Sequence, residues 1–342
     1  MRIKVARIIP MTEVSSQFYS PERDGVTFSI LNTFRQCREK ARLVLNGWTS
    51  SQSSLGTVFG TLVHGVNQYI YDDVRRRRIR SLPSKEYIHK ACRVIETQWK
   101  KENPKADADS LQYLEFSMIL LEAIMPVYFR YWKRDFDLVW KQVETEFKWP
   151  YTVRMPDGRI KKTFLRGKID GSFGQKKRRA TLFETKTKSR LGEHGESNLA
   201  DILPHELQVN IYLLYLMWLT RKVPAGVLYN IVRRPGLRQK KKESVFSYAQ
   251  RVAADIEKRP EYYFIRMQMI VSKKDLDKQE GEIQDLISDF ILWWNGHAGH
   301  YKNSDQCENK FGVCGFLPIC ARGDYTGFYR REKVFRELTD EL

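Results

Sequence analysis

The sequence is poor in cysteine, with 5 in 342 residues, and poor in acid, with 41 Asp and Glu against 59 Lys and Arg. So few thiols at irregular spacing do not make the paired framework of a small secreted domain. No uninterrupted apolar run reaches about eighteen residues, so no transmembrane helix is expected. Met1 to Pro10 lacks the apolar stretch of a signal peptide and reads as a short strand, and a cytoplasmic protein without membrane contact is the expectation. No Gly-x4-Gly-Lys-Ser/Thr loop occurs, which argues against a built-in helicase motor, so any unwinding would come from a partner. The acid deficit leaves a net charge of +18. That excess suits a polyanion, nucleic acid above all, with a membrane surface or mere basicity as the alternatives.

With 42% hydrophobic and 13% aromatic residues the chain can bury a sizeable core and is not disordered by composition. Its first part reads as helical. Ser29 to Gly47 carries Ile30, Phe34, Cys37, Ala41 and Leu45 near one face. Leu55 to Arg80 is a second helix with His64 on its apolar side, where a helical histidine is either a core or capping residue or a ligand. The run Arg75 to Arg80 is either a solvated face or a phosphate-contacting patch. Ser84 to Lys101 is a third helix with Cys92 as a core residue. Leu111 to Lys133 is a fourth, in which Pro126 can introduce a kink. The pattern then changes. Leu138 to Trp149 alternates as a strand, Met155-Pro156-Asp157-Gly158 is a turn signal, and the strand returns from Ile160.

The densest chemistry lies between Gly167 and Tyr212. Leu165 to Phe173 and Ala180 to Thr185 read as two strands of a hairpin, carrying Asp170 and Glu184. Residues alternate faces along a strand, so Glu184 and Lys186 point one way and Thr185 the other. Hard divalent cations take oxygen ligands, and an amine beside one can orient or deprotonate a water, which together suit hydrolysis of a phosphodiester. Taken alone, Glu-x-Lys on a strand is common and an Asp before Gly is ordinarily a turn residue. Leu203 to Leu219 is strongly helical, with His205 an exposed residue at its edge. Gln208 and Tyr212 lie four apart on one face, where they are either plain helix surface or part of the site.

Asp170, Glu184-x-Lys186 and Gln208-x3-Tyr212, with His64 in Gly60-Thr61-Leu62-Val63-His64-Gly65, resemble the RecB-type branch of the PD-(D/E)XK nuclease superfamily. Cys37 with Cys307-x6-Cys314-x5-Cys320 resembles its iron–sulfur members, the AddB nuclease domain and the RecB-like exonucleases of CRISPR adaptation. The resemblance is carried by short motifs between about residues 30 and 322. Ile169 stands where the superfamily's name has Pro. The resemblance implies a single α/β domain with a restriction-endonuclease-like core, a mixed central sheet flanked by helices. Its parts would be a helical N-terminal region over about 26–134, a catalytic core over about 138–271 and a C-terminal helix with the cysteine-rich region over about 273–342. It implies a metal-dependent DNA exonuclease acting on ends or single strands. Mg²⁺ or Mn²⁺ would be held by His64, Asp170, Glu184 and the Thr185 carbonyl, with Lys186 positioning water and Gln208 and Tyr212 supporting the substrate. A non-catalytic DNA-binding subunit, and a processing role in CRISPR adaptation or mobile-element recombination, are the alternatives.

Two features complete the reading. The basic loop after Lys186 includes Lys188 and Arg190, and a second holds Arg233, Arg234, Arg238, Lys240, Lys241 and Lys242. The second follows an apolar strand, Ala225 to Val232, and is either solvated and disordered or a DNA-clasping loop. Beyond it, Phe246 to Lys258 reads as a helix, Tyr262 to Val271 as a strand and Lys273 to Asn295 as a helix. Cys37 alone can be a buried helical thiol. Taken with Cys307, Cys314 and Cys320 it makes a four-thiolate set for a [4Fe–4S] cluster or Zn²⁺. The absence of a paired Cys-x2–4-Cys knuckle favours the cluster, in a structural role. Asp324 to Leu342 reads as a peripheral amphipathic helix.

Overall fold

The computed structural model describes residues 18–174, 179–189, 199, 201–309 and 312–331. In chain order the main elements are β1 (Val26–Thr27), α1 (Phe28–Gln36), α2 (Arg38–Leu45), β2 (Trp48–Ser50), α3 (Leu55–Arg75), α4 (Lys85–Glu102) and α5 (Ala108–Tyr131). There follow β3 (Trp140–Arg154), β4 (Ile160–Phe173), β5 (Thr181–Lys188), α6 (Leu207–Thr220), β6 (Gly226–Arg233), α7 (Val245–Lys258), β7 (Phe264–Ile270) and α8 (Lys273–Trp294). The last are β8 (Glu308–Asn309), β9 (Gly312–Val313), α9 (Leu317–Arg322) and β10 (Phe328–Arg330). The chain groups into two compact units, residues 1–51, 146–168 and 274–342, and residues 52–145 and 169–273, so the long strands β3 and β4 each contribute to both.

The second unit is a mixed α/β body. The end of β4 runs antiparallel to β5, β5 runs parallel to β6, and β6 runs antiparallel to β7. A parallel neighbour needs a crossover, which α6 supplies. Side chains of known start residues set the helices: Ser54, Ser84, Asp107 and Ser244 each accept a hydrogen bond from a backbone N–H of the first turn of α3, α4, α5 and α7, each worth about 1 kcal/mol. The helices bury one continuous core that includes Leu62, Val66, Leu121, Ile124 and Val252 and takes in Phe183 of β5. Helix α5 is long and apolar enough by composition to cross a membrane, and 61% of that window is buried inside the fold. The uninterrupted-run criterion passes over it because polar residues such as Ser117 interrupt the window. Cys92 is fully buried in this core, as its helix pattern predicts.

A buried polar cluster crosses the same unit. Arg266 on β7 donates to both oxygens of Asp135, at 2.6 and 2.5 Å, and to Asn230 Oδ1 at 3.2 Å. Tyr71 also donates to Asp135, at 2.5 Å.

In the first unit, β1 pairs parallel with β4 at Val26–Leu165 and Thr27–Arg166. The turn at Met155–Gly158 closes as its residues predict, with Gly158 at φ +82° and its N–H donating to Met155 O at 2.9 Å. The core is aromatic: Phe34 meets Phe290 and Trp293, and Tyr19 meets Trp294 edge-on.

Several boundaries differ from the sequence reading. The helix expected over Ser29 to Gly47 is two, because Cys37 is extended (φ −163°, ψ 122°) between α1 and α2. The helix from Leu55 stops at Arg75 instead of Arg80, where Arg77 takes a left-handed φ of +59°. Strand β3 continues to Arg154, longer than the alternation over Leu138 to Trp149 suggests, and the strands expected from Ile160 and over Leu165 to Phe173 are one, β4. Residues 328–330 of the expected C-terminal helix form strand β10, antiparallel to β2, where backbone pairing with Trp48–Ser50 replaces helical bonds; residues 332–342 lie outside the described residues, as do Met1 to Pro10.

Candidate active site

The β4–β5 ladder is paired from Phe173–Thr181 to Gly171–Phe183. Beyond it the strands exchange a different bond: Thr185 N–H donates to Asp170 Oδ2 at 2.7 Å. Behind Thr185, Asn230 of β6 donates to Thr185 Oγ1 at 3.3 Å and accepts from Arg266, so the buried polar cluster ends against the strand that carries the site. Glu184 and Lys186 share one face, as strand alternation predicts, with Lys186 Nζ 3.0 Å from Glu184 Oε1.

Helix α3 brings His64 to Asp170. Its Nδ1 lies 3.3 Å from Asp170 Oδ1 and 3.3 Å from Glu144 Oε1. The three donor atoms of His64, Glu144 and Asp170 lie within 4.8 Å of one another. The helix approaches closely because glycine leaves room. A Cβ at Gly60, one turn before His64, would stand 2.9 Å from Thr187 Oγ1, and one at Gly65 would stand 2.7 Å from Ile95 Cγ2.

Glu144 is the residue that sequence reasoning missed. It sits within β3 at φ +43°, a left-handed conformation rare for a non-glycine residue in a strand. Such a residue turns its side chain out of the ordinary alternation, as at a β-bulge. The signal was a change of parity: Trp140 is buried at an even position, whereas Val143, Phe147, Trp149 and Tyr151 are buried at odd ones. Glu206, just before α6, was also missed. It makes no capping bond and instead places Oε2 3.1 Å from Lys186 Nζ.

Lys186 also donates to Gln208 Oε1 at 2.9 Å, and Gln208 Nε2 donates to Tyr212 OH at 3.2 Å. Gln208 and Tyr212 therefore belong to the lysine's surroundings, and His205 is exposed. Glu184 is 1% exposed, and among the described residues its Oε2 has no hydrogen-bond partner. An uncompensated buried carboxylate oxygen is costly.

The charges respond to this crowding. Burial, and then the nearby Asp170 carboxylate, raise the Glu184 pKa to about 8, against the pull of Lys186. Burial works against charge on Lys186, but Glu184 and Glu206 outweigh it and hold the amine protonated. Burial likewise opposes charge on His64, and Asp170 and then Glu144 outweigh it, raising its pKa well above the usual value. Asp170 is desolvated too, yet His64 and the Thr185 N–H keep its pKa low. The imidazolium thus supplies the positive charge between two carboxylates. A divalent cation bound by the same atoms would displace that proton. The donor set, a nitrogen with carboxylate oxygens and one buried oxygen lacking a partner, fits such an ion.

The basic residues divide by setting. Lys188 pairs in register with Arg233, and Arg234 N–H donates to Lys188 O at 2.8 Å. Arg233 packs its guanidinium over Tyr262, 4.2 Å from the ring centroid. Arg238, Lys240, Lys241 and Lys242 are exposed. Arg190 lies outside the described residues.

The cysteines gather in the first unit. Asn303 links two of them: its N–H points at Cys37 Sγ at 3.5 Å, and Cys307 Sγ lies 3.9 Å from its carbonyl oxygen. Cys314 N–H donates to Cys307 O at 2.8 Å, and Cys320 lies near enough to Cys37 to interact with it electrostatically. All are unbridged thiols. Among the described residues no three of these sulfurs come within 4.8 Å of one another. Zn–S bonds of about 2.3 Å in a tetrahedron require roughly 3.8 Å between sulfurs, so the set is wider than a closed zinc site, while an N–H aimed at a sulfur suits a cluster ligand.

Neither protein-family models nor curated proteins match the sequence. Solved structures that match include a crystal structure from Eubacterium rectale of a protein named, provisionally, as an exonuclease; it is 10% identical over 94% of this chain and 99% of that one, with a TM-score of 0.46.

Proposed function

We propose that this protein is a divalent-metal-dependent deoxyribonuclease that hydrolyses phosphodiester bonds at DNA ends or in single strands. The observation that carries the reading is the meeting of His64, Glu144 and Asp170 beside a Glu184–Lys186 pair whose carboxylate keeps one buried oxygen unpartnered. In this reading His64, Glu144, Asp170 and Glu184 would hold the ion, with the Thr185 carbonyl as a further oxygen. The imidazole favours Mn²⁺, while Mg²⁺ prefers oxygen ligands. Bound there, the ion would supply Lewis-acid chemistry, polarising a phosphate oxygen and lowering the pKa of water.

The remaining work falls to the chain. Lys186, paired with Glu184 and Glu206, orients the attacking water and offsets charge developing on the phosphate. Gln208 fixes the lysine, and Tyr212 fixes Gln208. The Thr185 N–H holds Asp170 in place, and Asn230 supports Thr185 from behind. Cys37, Cys307, Cys314 and Cys320 are proposed to carry a [4Fe–4S] cluster that ties α1 and α2 to the C-terminal segment.

The test is Lys186→Ala. Mn²⁺ titrated into the variant should bind as well as to the wild type, while cleavage of single-stranded DNA falls about 100-fold or more. Cleavage at the wild-type rate would overturn the assignment.

A further inference from the structure

Strands β5 and β6 run parallel, with Lys186 opposite Ile231 and Lys188 opposite Arg233. The segment after β6 therefore leaves the sheet at the end just beyond the site, and it carries Arg238, Lys240, Lys241 and Lys242, all exposed. It is held in a defined path. Tyr248 donates to Leu237 O at 2.9 Å, Arg251 donates to Arg238 O at 2.8 Å, and Gln239 Nε2 donates to Glu243 O at 2.6 Å. Glu243 accepts from Arg251 and from Lys240 N–H, each at 2.8 Å, and Lys242 takes a left-handed turn at φ +65°. The one carboxylate in the segment is thus committed to Arg251. Among the described residues Arg238, Lys240, Lys241 and Lys242 form no ion pair; Lys240 shares the field of Glu243, whose pKa it helps to lower, and the other three charges face solvent.

Directly after this turn, in the first turn of α7, stands Phe246, 71% exposed. It is the most exposed aromatic side chain among the described residues, and Val245 beside it is 53% exposed. Two residues on, Tyr248 is fully buried, so the helix has a core face and Phe246 is not on it. A bare phenyl ring beside exposed cations at a fixed turn matches the chemistry of an unpaired nucleotide strand: a base offers a π face for stacking, and the flanking phosphates take the cations. A closed duplex offers the phosphates but buries its base faces.

We infer that Phe246, with Lys240, Lys241 and Lys242, forms a platform for single-stranded nucleic acid, the ring stacking on a base and the lysines holding adjacent phosphates. The inference builds on the reading of the site as a nuclease by naming the form of the substrate, and it is tested with cleavage switched off. The experiment is fluorescence anisotropy of the full chain with a labelled single strand and with a hairpin-closed duplex, in chelator, over a salt series. Phe246→Ala should weaken single-strand binding about fivefold or more and leave the duplex unchanged, and Phe246→Trp should restore it. Replacing Lys240, Lys241 and Lys242 by Gln should reduce the slope of log affinity against log salt by about 2. The platform is overturned if Phe246→Ala leaves single-strand binding intact, weakens both ligands equally, or alters the oligomeric state by size exclusion in place of binding. A metal site that proved inactive would leave these binding results standing, so the two readings fail separately.

Discussion

Glu144 is the residue whose backbone conformation has to be accounted for. A left-handed conformation at a non-glycine residue costs roughly 1–2 kcal/mol, and here it delivers a carboxylate to within 3.3 Å of His64. If metal binding is what the strain serves, glycine and alanine at this position should separate the two effects. Glu144→Gly should unfold at higher denaturant than Glu144→Ala, by about 1 kcal/mol, while calorimetric titration shows both binding Mn²⁺ at least about tenfold more weakly than wild type. Equal stability of the two, with undiminished binding, would remove Glu144 from the site. Glu184 makes a prediction in pH. Its carboxyl is raised from 4.5 to about 8 in the folded protein, so between those values the folded state holds more protons than the unfolded one, and stability falls as pH rises. In chelator, Glu184→Gln should therefore gain in Tm relative to wild type between pH 5 and pH 8.5; a gap that does not change with pH would contradict the burial account. The other residues of the site were legible because local spacing gives their relative placement and the resemblance to the nuclease superfamily gives His64, Asp170, Gln208 and Tyr212 a role in it. Glu184-x-Lys186 shares a face by strand alternation, and Gln208-x3-Tyr212 by helical pitch. Glu144 and Glu206 were not, since one depends on a local backbone reversal and the other on where a distant helix begins.

At the level of elements, periodicity placed most of the helices and strands, the resemblance implied the mixed sheet that joins them, and the errors have both local and distant causes. The apolar spacing of Phe34, Ala41 and Leu45 runs through Cys37 at helical period, so nothing in it marks the extended residue that divides α1 from α2. Strand β10 owes its conformation to β2, a partner nearly 280 residues earlier in the chain, which no local propensity reports. The buried cluster of Arg266, Asp135, Tyr71 and Asn230 was equally invisible, because it joins four elements far apart in sequence. It holds the sheet behind Thr185 and makes a stability prediction. Asp135→Ala strands the Arg266 guanidinium in the core and should cost about 3–5 kcal/mol by chemical denaturation. A loss under about 1 kcal/mol would mean that water reaches the arginine.

Across the whole molecule, the excess of positive charge and the gathered thiols raise separate questions. Charge of this size makes any nucleic-acid affinity steeply dependent on salt, which is why binding constants for this protein have meaning only at a stated ionic strength. The thiols predict that protein prepared without oxygen is brown and absorbs visible light, and that Cys314→Ser loses the colour; a colourless preparation carrying stoichiometric zinc would contradict the cluster. The proposed activity is cleavage of DNA that depends on a divalent ion held by the residues around Glu184. The most direct measurement is a time course on end-labelled single-stranded, linear duplex and closed circular DNA with Mn²⁺, comparing wild type with Glu184→Ala. Wild type should shorten the linear substrates, leave closed circles intact and stop in chelator, and Glu184→Ala should do nothing. Equal cutting by the variant, or no cutting by a wild type that binds both Mn²⁺ and DNA, would contradict it.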